Sequence, residues 1–444
     1  MTERAANIMI VAGEASGDLY GARLAAKLKE VLPSIEIRGI GGRRMREADV
    51  ELLYDSSSWS AIGIAEALKL VPGLYFVLLK LQAQLKAHPP DVLVLIDFGT
   101  FNVRLGRSLH SAGVKVLYYF PPSSWYRGAN YSRLDGVVDR VVTPFPWSAE
   151  ALRKSGFQAD FFGHPLLDVV KPSLSRNAFC ERFGFDIERP VIGLLPGSRT
   201  QEIVHNLPAL VIAAARMLEA MPELQFAIPL ATSVNPERIA SELACVPWIS
   251  AESYKAAGDS SSSADRAFRF SAAGRVRALA REDGFATPGS RVCIKLLPGM
   301  TYDVLAYSRA AVVTSGTATV ESMILGCPMV IVYRGNRLTR LEFRLLGKRI
   351  KFIGMPNIIL DRAICPELIA GEASPRRISE LALKLIPDSP ERAEMLNNLA
   401  EARAVLGSPG AVEKTAHVVL ELLDISAAGG DRADNYVKST RQEN

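Results

Sequence analysis

Acidic side chains follow two apolar runs in the first half of the chain, in positions suited to acid–base chemistry. The run Asn7–Val11 leads into the sequence GEASGD, whose second residue is Glu14, and the run Asp91–Ile96 leads into Asp97. In parallel sheets the carboxyl ends of the strands form the edge that binds ligands, and burial there raises the pKa of a carboxyl group towards that of a general base. We therefore predict that Asp97 is a base and that Glu14 has a function, while a helix N-cap is the alternative for Asp97. Asn102, one helical turn beyond Asp97, is left open.

Two motifs in the second half have the composition of phosphate-binding turns. The first is LPGSR, which ends at Arg199 and is followed by Glu202, and the second is SGTATVE, which ends at Glu321. Glycine, hydroxyl groups and free amides at a helix N-terminus bind oxygen-rich anions, and arginine pairs with phosphate in a bidentate manner. Neither motif is a Walker loop. We predict a nucleotide-diphosphate pocket that needs no metal, formed by Ser198, Arg199, Glu202, Ser315, Gly316, Thr317 and Glu321. A well-capped helix is the alternative for the second motif.

Two further candidates have balanced interpretations. Trp125, Tyr126 and Arg127 follow a predicted strand, and they suit either a sugar or acyl platform or a packed turn. His164 precedes a proline, where a histidine is more often structural than a ligand contact.

These motifs need a scaffold of parallel strands, and the hydrophobic pattern predicts one. Short, nearly continuous apolar runs alternate with longer amphipathic stretches, as in βα units whose sheet is covered on both faces. We predict an α/β fold with two successive Rossmann-like sheets. The predicted strands are Asn7–Val11, Ile35–Gly39, Asp91–Ile96, Val114–Phe120 and Arg140–Thr143, and then Pro190–Leu195, Gln225–Pro229, Val292–Leu297, Ala310–Thr314 and Pro328–Tyr333.

The same pattern divides the chain into two domains. We predict an N-terminal domain over residues 1–172, completed by a C-terminal helix at about 405–425, and a second domain over 186–404. The joint is predicted within 170–188, where proline and serine interrupt the pattern. Residues 250–289 are predicted to be an insertion, a mobile loop with at most one helix, and residues 427–444 a disordered tail.

Composition limits the classes of function. The 444 residues are 48% hydrophobic and 22% charged, which is typical of globular proteins, and the net charge of +5 is too small to imply nucleic acid. Five scattered cysteines and five histidines argue against a disulfide framework or a zinc site. No stretch of the chain has the length of a signal peptide or a membrane span, so we expect a cytoplasmic protein that is soluble or lies on a membrane surface.

Two segments have the composition of membrane-surface sequences. The segment Ala65–Lys80 contains six large apolar residues that we predict to contact membrane or acyl chains: Leu68, Val71, Leu74, Phe76, Val77 and Leu78. The run Arg334–Lys351 contains seven basic residues and one acid, which favours an anionic surface. A buried helix and a solvated face are the respective alternatives.

Taken in order along the chain, these motifs resemble those of the lipid-A-disaccharide synthase family, which are inverting glycosyltransferases of the GT-B type. The likeness extends from about Ile8 to Leu423, excepting residues 250–289, and rests on eight stretches of sequence: VAGEASGD, IDFGTFN, GHPL, LPGSRTQE, SGTATVE, CPMVIVY, GMPNIIL and PELI. The resemblance implies two Rossmann-like domains facing across a cleft. It also implies that UDP-2,3-diacylglucosamine and 2,3-diacylglucosamine 1-phosphate are joined into a β-1,6-linked disaccharide, with release of UDP.

The resemblance also assigns residues and partners. It implies that Asp97 is the general base with Glu14 and Asn102 beside it, and it adds Asn357 to the UDP-sugar side. It implies no cofactor or metal, no nucleic acid, and an anionic membrane surface at the inner face of the cytoplasmic membrane; a homodimer is compatible with it. The chain departs from the usual family pattern at Gly99, Thr100, Gly128 and Ala370.

Three alternatives remain open at this point. They are a GT-B enzyme with another lipid-linked or sugar acceptor, a nucleotide-sugar epimerase with the same architecture, and a relative that binds without turnover.

Overall fold

The computed structural model describes residues 5–57, 59, 64–231, 234–254, 272–285, 289, 291–334 and 351–424, and for residues 64–70, 200 and 272 the backbone alone. The chain forms two units. Unit 1 comprises Met1–Asp168 together with Leu406–Asn444, and unit 2 comprises Val169–Val405. Each is an α/β structure built on a seven-stranded parallel sheet, which confirms the predicted fold class.

The sheet of unit 1 has the strand order β3-β2-β1-β4-β5-β6-β7. Its central strands are buried apolar runs such as VLVLI in β4, as expected for a sheet covered on both faces. The strands are β1 Asn7–Ala12, β2 Glu36–Gly41, β3 Glu51–Asp55, β4 Val92–Ile96, β5 Lys115–Tyr119, β6 Arg140–Val142 and β7 Ala159–Asp160. The order reverses between β1 and β4, which pair directly, so the loops after these two strands lie at the topological switch point where ligands bind.

Helices cover the sheet of unit 1. They are α1 Ala15–Val31, α2 Arg43–Glu47, α3 Ile64–Ala87, α4 Gly99–His110, α5 Pro146–Lys154, α6 Leu166–Val169 and, near the C-terminus, α16 Ala411–Leu422. Helix α16 packs on α1, and the Asp168 carboxylate accepts hydrogen bonds from the backbone N–H groups of Gly410 and Val412. A C-terminal helix therefore completes unit 1.

The sheet of unit 2 has the order β10-β11-β9-β8-β12-β13-β14. Its strands are β8 Val191–Leu195, β9 Gln225–Leu230, β10 Ile249–Ser253, β11 Val292–Pro298, β12 Ala310–Thr314, β13 Met329–Tyr333 and β14 Glu367–Ile369. Its helices are α7 Arg176–Phe183, α8 Thr200–Ala220, α9 Pro236–Ala244, α10 Ala272–Glu282, α11 Thr301–Tyr307, α12 Thr317–Ile324, α13 Met355–Leu360, α14 Pro375–Leu383 and α15 Pro390–Val405. The switch point lies between β8 and β12, and the two predicted phosphate-binding motifs follow these strands.

Two sequence expectations about organisation are wrong in part. The region 170–188 is not a loose joint: Ser173 donates two hydrogen bonds to the Asp303 carboxylate, Ser175 caps α7, and that helix buries Phe179 and Phe183 in unit 2. The predicted insertion 250–289 contains most of strand β10 and the whole of helix α10. The remainder of the insertion near 255–271 and the tail 427–444 lie outside the described residues.

One described helix is long and apolar enough to cross a membrane. It is Gln201–Ala220 within α8, and 67% of its apolar window is buried inside the protein. This degree of burial is typical of a core helix that covers a sheet.

Candidate functional site

Asp97 lies where β4 ends and is held there by an unusual backbone. Asp97, Phe98 and Gly99 have successive positive φ angles of 47°, 53° and 25°. The Tyr118 hydroxyl donates to the Asp97 carbonyl over 2.8 Å, and the Asn102 amide donates to the same carbonyl over 2.9 Å. Left-handed conformations in non-glycine residues persist where surrounding contacts determine them, and such residues cluster at functional sites. The backbone of Asp97 is therefore held in place at the carboxyl edge of the sheet, where α/β folds bind ligands.

The electrostatics of this loop suit a base. Burial and, to a smaller extent, the negative charge of Glu14 together raise the pKa of Asp97 to about 6, while the Phe98 N–H opposes the shift. Glu14 is the N-cap residue of α1 and is half-buried. A carboxyl group with a pKa near 6 is deprotonated at neutral pH, yet it is far more basic than an ordinary aspartate.

Asn102 has a different place from the one predicted. Its side chain is fully buried in α4, and its amide donates to the carbonyls of Val11, Ile96 and Asp97. Its amide thus joins the ends of β1 and β4 and positions Asp97, while its buried Oδ1 has no hydrogen-bond partner among the described residues. Tyr118, which the sequence analysis missed, supports the same carbonyl from β5.

The residues of the GEASGD motif have different roles. The buried Asp18 carboxylate accepts hydrogen bonds from the backbone N–H groups of Gly42, Arg44 and Met45, so it caps α2 and not its own helix. Gly13 lies so close to Phe98 that an added Cβ would stand 2.1 Å from the ring. Asp18 and Gly13 therefore determine the shape of the loop, whereas Glu14 is the residue of the motif whose charge raises the pKa of Asp97.

The apolar helix α3 presents part of its predicted contact set. It continues through Pro72, and Val71 and Phe76 are 53% and 58% exposed, as are Tyr75 at 50% and Leu79 at 46%. Leu74 and Val77 are partly buried against the core of unit 1. Leu78 was wrongly included, because it is only 3% exposed and belongs to that core. The side chain of Leu68 lies outside the described residues.

In unit 2, the loop after β8 is held in shape by a carboxylate from the first turn of the helix that follows it. The Glu202 carboxylate accepts hydrogen bonds from the N–H groups of Ser198 and Arg199, at 2.8 and 3.2 Å. Gly197, at a φ of 115°, permits this because an added Cβ would stand 2.4 Å from Glu202. Glu202 therefore shapes the loop, and its predicted contact with the donor stays a prediction. Ser198 is exposed, and the guanidinium of Arg199 is partly exposed, 3.7 Å from Glu202.

The loop after β12 leaves a helix N-terminus open. Gly316 is the N-cap of α12, and Gly316 and Thr317 are both exposed. Ser315, in contrast, donates its hydroxyl to the Ile353 carbonyl over 2.7 Å. Glu321, one turn inside α12, accepts a hydrogen bond from the Tyr302 hydroxyl over 3.3 Å. Exposed amides and a hydroxyl at this point are suited to an anion, and Tyr302 is an addition that sequence motifs did not signal.

Asn357 contributes to this loop from within the protein. It is fully buried; its Oδ1 accepts from the N–H groups of Ile364 and Cys365, and its Nδ2 donates to Glu367 and to the Cys365 carbonyl. Glu367 in turn accepts from the N–H groups of Ile353 and Gly354. Because all four bonds of its amide are made inside the fold, Asn357 is a positioning residue, and its predicted contact with a UDP-sugar is wrong.

The remaining sequence candidates are either packed inside the protein or exposed at its surface. His164 is buried, burial lowers its pKa to about 3, and its Nδ1 accepts from the Leu166 N–H, so its role is structural. Trp125 and Tyr126 are exposed, whereas the Arg127 guanidinium lies over the Trp147 ring at 4.2 Å. Of the basic run, residues 335–350 lie outside the described residues.

Comparisons with known proteins agree with this architecture. A family model described as lipid-A-disaccharide synthetase matches residues 8–268 and 286–420. The chain is 33% identical over 425 residues to the lipid-A-disaccharide synthase of Trichlorobacter lovleyi, covering 95% of this chain and 99% of the relative. It is 35% identical over 426 residues to that of Geobacter sulfurreducens, with 95% and 99% coverage.

Solved structures support the fold. The S. aureus MnaA–UDP structure matches with a TM-score of 0.59 at 12% identity, covering 96% of this chain and 99% of the other. The calicheamicin glycosyltransferase CalG4 matches with a TM-score of 0.54 at 14% identity, with 95% and 99% coverage. At such identities these neighbours show a shared GT-B fold, whereas the extent of the family match decides the relationship. The chain belongs to the lipid-A-disaccharide synthase family of glycosyltransferases, enzymes of lipid A biosynthesis.

Proposed function

We propose that this protein transfers 2,3-diacylglucosamine from its UDP donor to the 6-hydroxyl of 2,3-diacylglucosamine 1-phosphate, with inversion and without a metal ion. The observation that carries the proposal is Asp97, a buried carboxyl group at the switch point of unit 1 whose pKa is raised to about 6. Family membership supplies the class of reaction, and this group supplies the base that an acceptor hydroxyl needs.

The proposed step needs one base. The acceptor oxygen attacks the anomeric carbon of the donor, its proton passes to the Asp97 carboxylate, and the bond between sugar and UDP breaks with its electron pair on the phosphate. Asp97 is ionised at neutral pH, and Glu14 makes it a stronger base by disfavouring its charge. Tyr118 and Asn102 keep the base in place by holding its backbone carbonyl.

Unit 2 is proposed to hold the donor. The guanidinium of Arg199 is partly exposed and lies 3.7 Å from Glu202, and it is proposed to pair with a phosphate oxygen of the donor. The exposed N-terminus of α12, with Thr317, offers amide and hydroxyl donors to the same diphosphate. Glu321 is proposed to accept from a ribose hydroxyl. These donors neutralise charge on the leaving UDP, which is the task that a metal performs in other transferases.

The exposed face of α3 is proposed to meet the inner face of the cytoplasmic membrane. Val71, Tyr75, Phe76 and Leu79 are each about half exposed, an unusual state for large apolar side chains so close together. Acyl chains of both substrates favour a lipid environment, and an apolar surface on unit 1 lets the acceptor approach without exposing its chains to water.

The test is direct turnover with defined lipids. Purified protein is mixed with UDP-2,3-diacylglucosamine and 2,3-diacylglucosamine 1-phosphate, and the expected disaccharide and UDP are measured by mass spectrometry, with and without EDTA. UDP release that does not need the acceptor, or a change in the donor sugar alone, would indicate the epimerase alternative. Turnover with some other acceptor only would indicate a divergent transferase, and UDP binding without turnover a non-catalytic relative.

Two arginine variants provide a matched test of the donor site. Arg199→Ala is expected to weaken UDP binding, while Arg23→Ala, which removes an exposed arginine of α1 and the same charge, is expected to leave it unchanged. Calorimetry with UDP separates a local contact at Arg199 from a general effect of net charge.

A further inference from the structure

The Phe98 ring connects the two loops that carry the carboxylates. A Cβ added at Gly13 would stand 2.1 Å from Cδ2 and 2.2 Å from Cγ of Phe98, so the ring lies directly on the Gly13 backbone. Gly13 immediately precedes Glu14, and Phe98 immediately follows Asp97. The contact therefore joins the Glu14 loop to the Asp97 loop next to both acids.

The ring is itself held in place on more than one side. Phe98 has a left-handed backbone, with φ of 53° and ψ of 32°, as the N-cap residue of α4. Its ring stacks on Trp59 with centroids 5.8 Å apart, and it packs against the buried Phe101 at 5.0 Å. Such aromatic contacts fix a ring more firmly than burial alone, so Phe98 has little freedom to leave Gly13.

We propose that Phe98 is a positioning residue that clamps the Asp97 and Glu14 loops together and keeps water from between their carboxyl groups. The proposal rests on the proposed function, in which Asp97 is the base. Asn102 and Tyr118 hold the main chain of Asp97, whereas Phe98 acts at the loops themselves, through a side chain and a glycine that are complementary in size.

The clamp has a measurable consequence because burial and the charge of Glu14 both raise the pKa of Asp97. Removing the ring admits water and lets the two loops separate, and each change lowers that pKa. The acid limb of the pH–rate profile reports the ionisation of the base, so it should move to lower pH. A residue that only fills the core would change the rate at all pH values alike.

The experiment compares kcat/KM from pH 4.5 to 8 for Phe98→Ala, Phe98→Leu and Phe157→Ala. Phe157 is the matched control, because like Phe98 it is partly buried and packs against the same core of unit 1, but it lies away from the acids in sequence. A shift of the limb from pH 6 to pH 5 should raise the rate at pH 5, relative to that at pH 7.5, about five-fold. We expect this for Phe98→Ala, a smaller shift for Phe98→Leu, and no shift for Phe157→Ala.

A reciprocal pair tests the contact itself. Gly13→Ala should lose activity because its methyl group and the Phe98 ring cannot share the same space. In Gly13→Ala/Phe98→Ala that conflict is absent, so the double variant should be more active than Gly13→Ala alone. This pair also keeps the test decisive if Phe98→Ala folds poorly.

The outcomes distinguish a failure of the proposed Phe98 clamp from a failure of the proposed function. A wild-type profile without an acid limb near pH 6, or full turnover by Asp97→Asn, would remove the base and with it the proposed function. A wild-type limb that Phe98→Ala leaves in place, an equal shift in Phe157→Ala, or a double variant no better than Gly13→Ala would overturn the clamp alone.

Discussion

Asp97→Asn should strongly reduce turnover and at the same time stabilise the protein. The pKa of Asp97 rises from an ordinary 3.8 to about 6, chiefly because the charged form is buried. One pKa unit corresponds to about 1.4 kcal/mol, so holding this carboxylate ionised costs the folded protein roughly 3 kcal/mol at neutral pH. Asparagine carries no charge and tolerates the left-handed backbone at φ 47°, so it escapes this cost without disturbing the loop.

The pH dependence has a definite sign. Between about pH 4 and 6 the folded protein keeps a proton on Asp97 that the unfolded chain has released, so wild-type stability falls as the pH rises through this window. Below the window both states are protonated and the cost disappears. The stability gained by Asp97→Asn should therefore be full at pH 7.5 and close to zero near pH 4.

The assay is a thermal transition followed at several pH values beside turnover at pH 7.5. In a unit of about 200 residues each kcal/mol moves the Tm by roughly 2–4 °C, so the roughly 3 kcal/mol above gives a rise of about 6–12 °C. Turnover should fall by about 10²–10⁴, the usual effect of losing a general base. Glu36→Gln, an exposed acid on β2, serves as the control and should change neither quantity. A Tm lowered at pH 7.5, or a gain that persists at pH 4, would refute the reasoning, because neither outcome can come from the charge.

Four further predictions follow from the same geometry. Glu14→Gln should lower the apparent pKa of the acid limb of kcat/KM, since it removes a negative charge that raises the pKa of Asp97; an unmoved limb would contradict this. Arg199→Ala should weaken UDP binding by about 1.5–3 kcal/mol in calorimetry, the value of a charge-assisted hydrogen bond, and unchanged affinity would exclude this residue from the donor site. EDTA should leave turnover unchanged, and its loss with recovery on magnesium or manganese would show a metal requirement. Val71→Ser/Phe76→Ser should release the protein from anionic vesicles with little change in Tm, whereas Leu78→Ser should destabilise it by about 3–5 kcal/mol, and the reverse order would place the apolar face of α3 in the core.

The strands that sequence analysis found and missed differ in their surroundings. All ten predicted strands exist, and the four that were missed, β3, β7, β10 and β14, are the edge strands of the two sheets. A central strand is covered on both faces and needs a continuous apolar run, which is easy to recognise. An edge strand is shorter or of mixed polarity: β7 has two residues, and β10 has the sequence ISAES. Its existence depends on a neighbour that sequence periodicity does not show.

Helix α10 lies in the segment predicted to be a loop with at most one helix, and its bounds were not predicted for a related reason. Its sequence, AAGRVRALARE, contains small and basic residues and few large apolar ones, so it resembles an open loop. It nevertheless packs on α8 and buries Val276. Alanine and arginine are good helix formers, and a narrow apolar stripe is enough when a long helix already provides the opposing surface.

Motifs indicated two candidate loops, but not the role of each side chain within them. The pKa of Asp97 is raised, and the guanidinium of Arg199 is partly exposed. In contrast, the Asn102 amide donates to three backbone carbonyls, and the side-chain oxygens of Asn357 and Glu202 accept from backbone N–H groups. The residue types are alike in both sets, because a loop that must bind an anion or a sugar also leaves many of its own amides and carbonyls without partners. Asparagine and glutamate satisfy those groups and so preserve the shape on which the reacting residues depend. A motif therefore contains both the side chains that hold the loop and those that face the substrate, and the structure is needed to distinguish them.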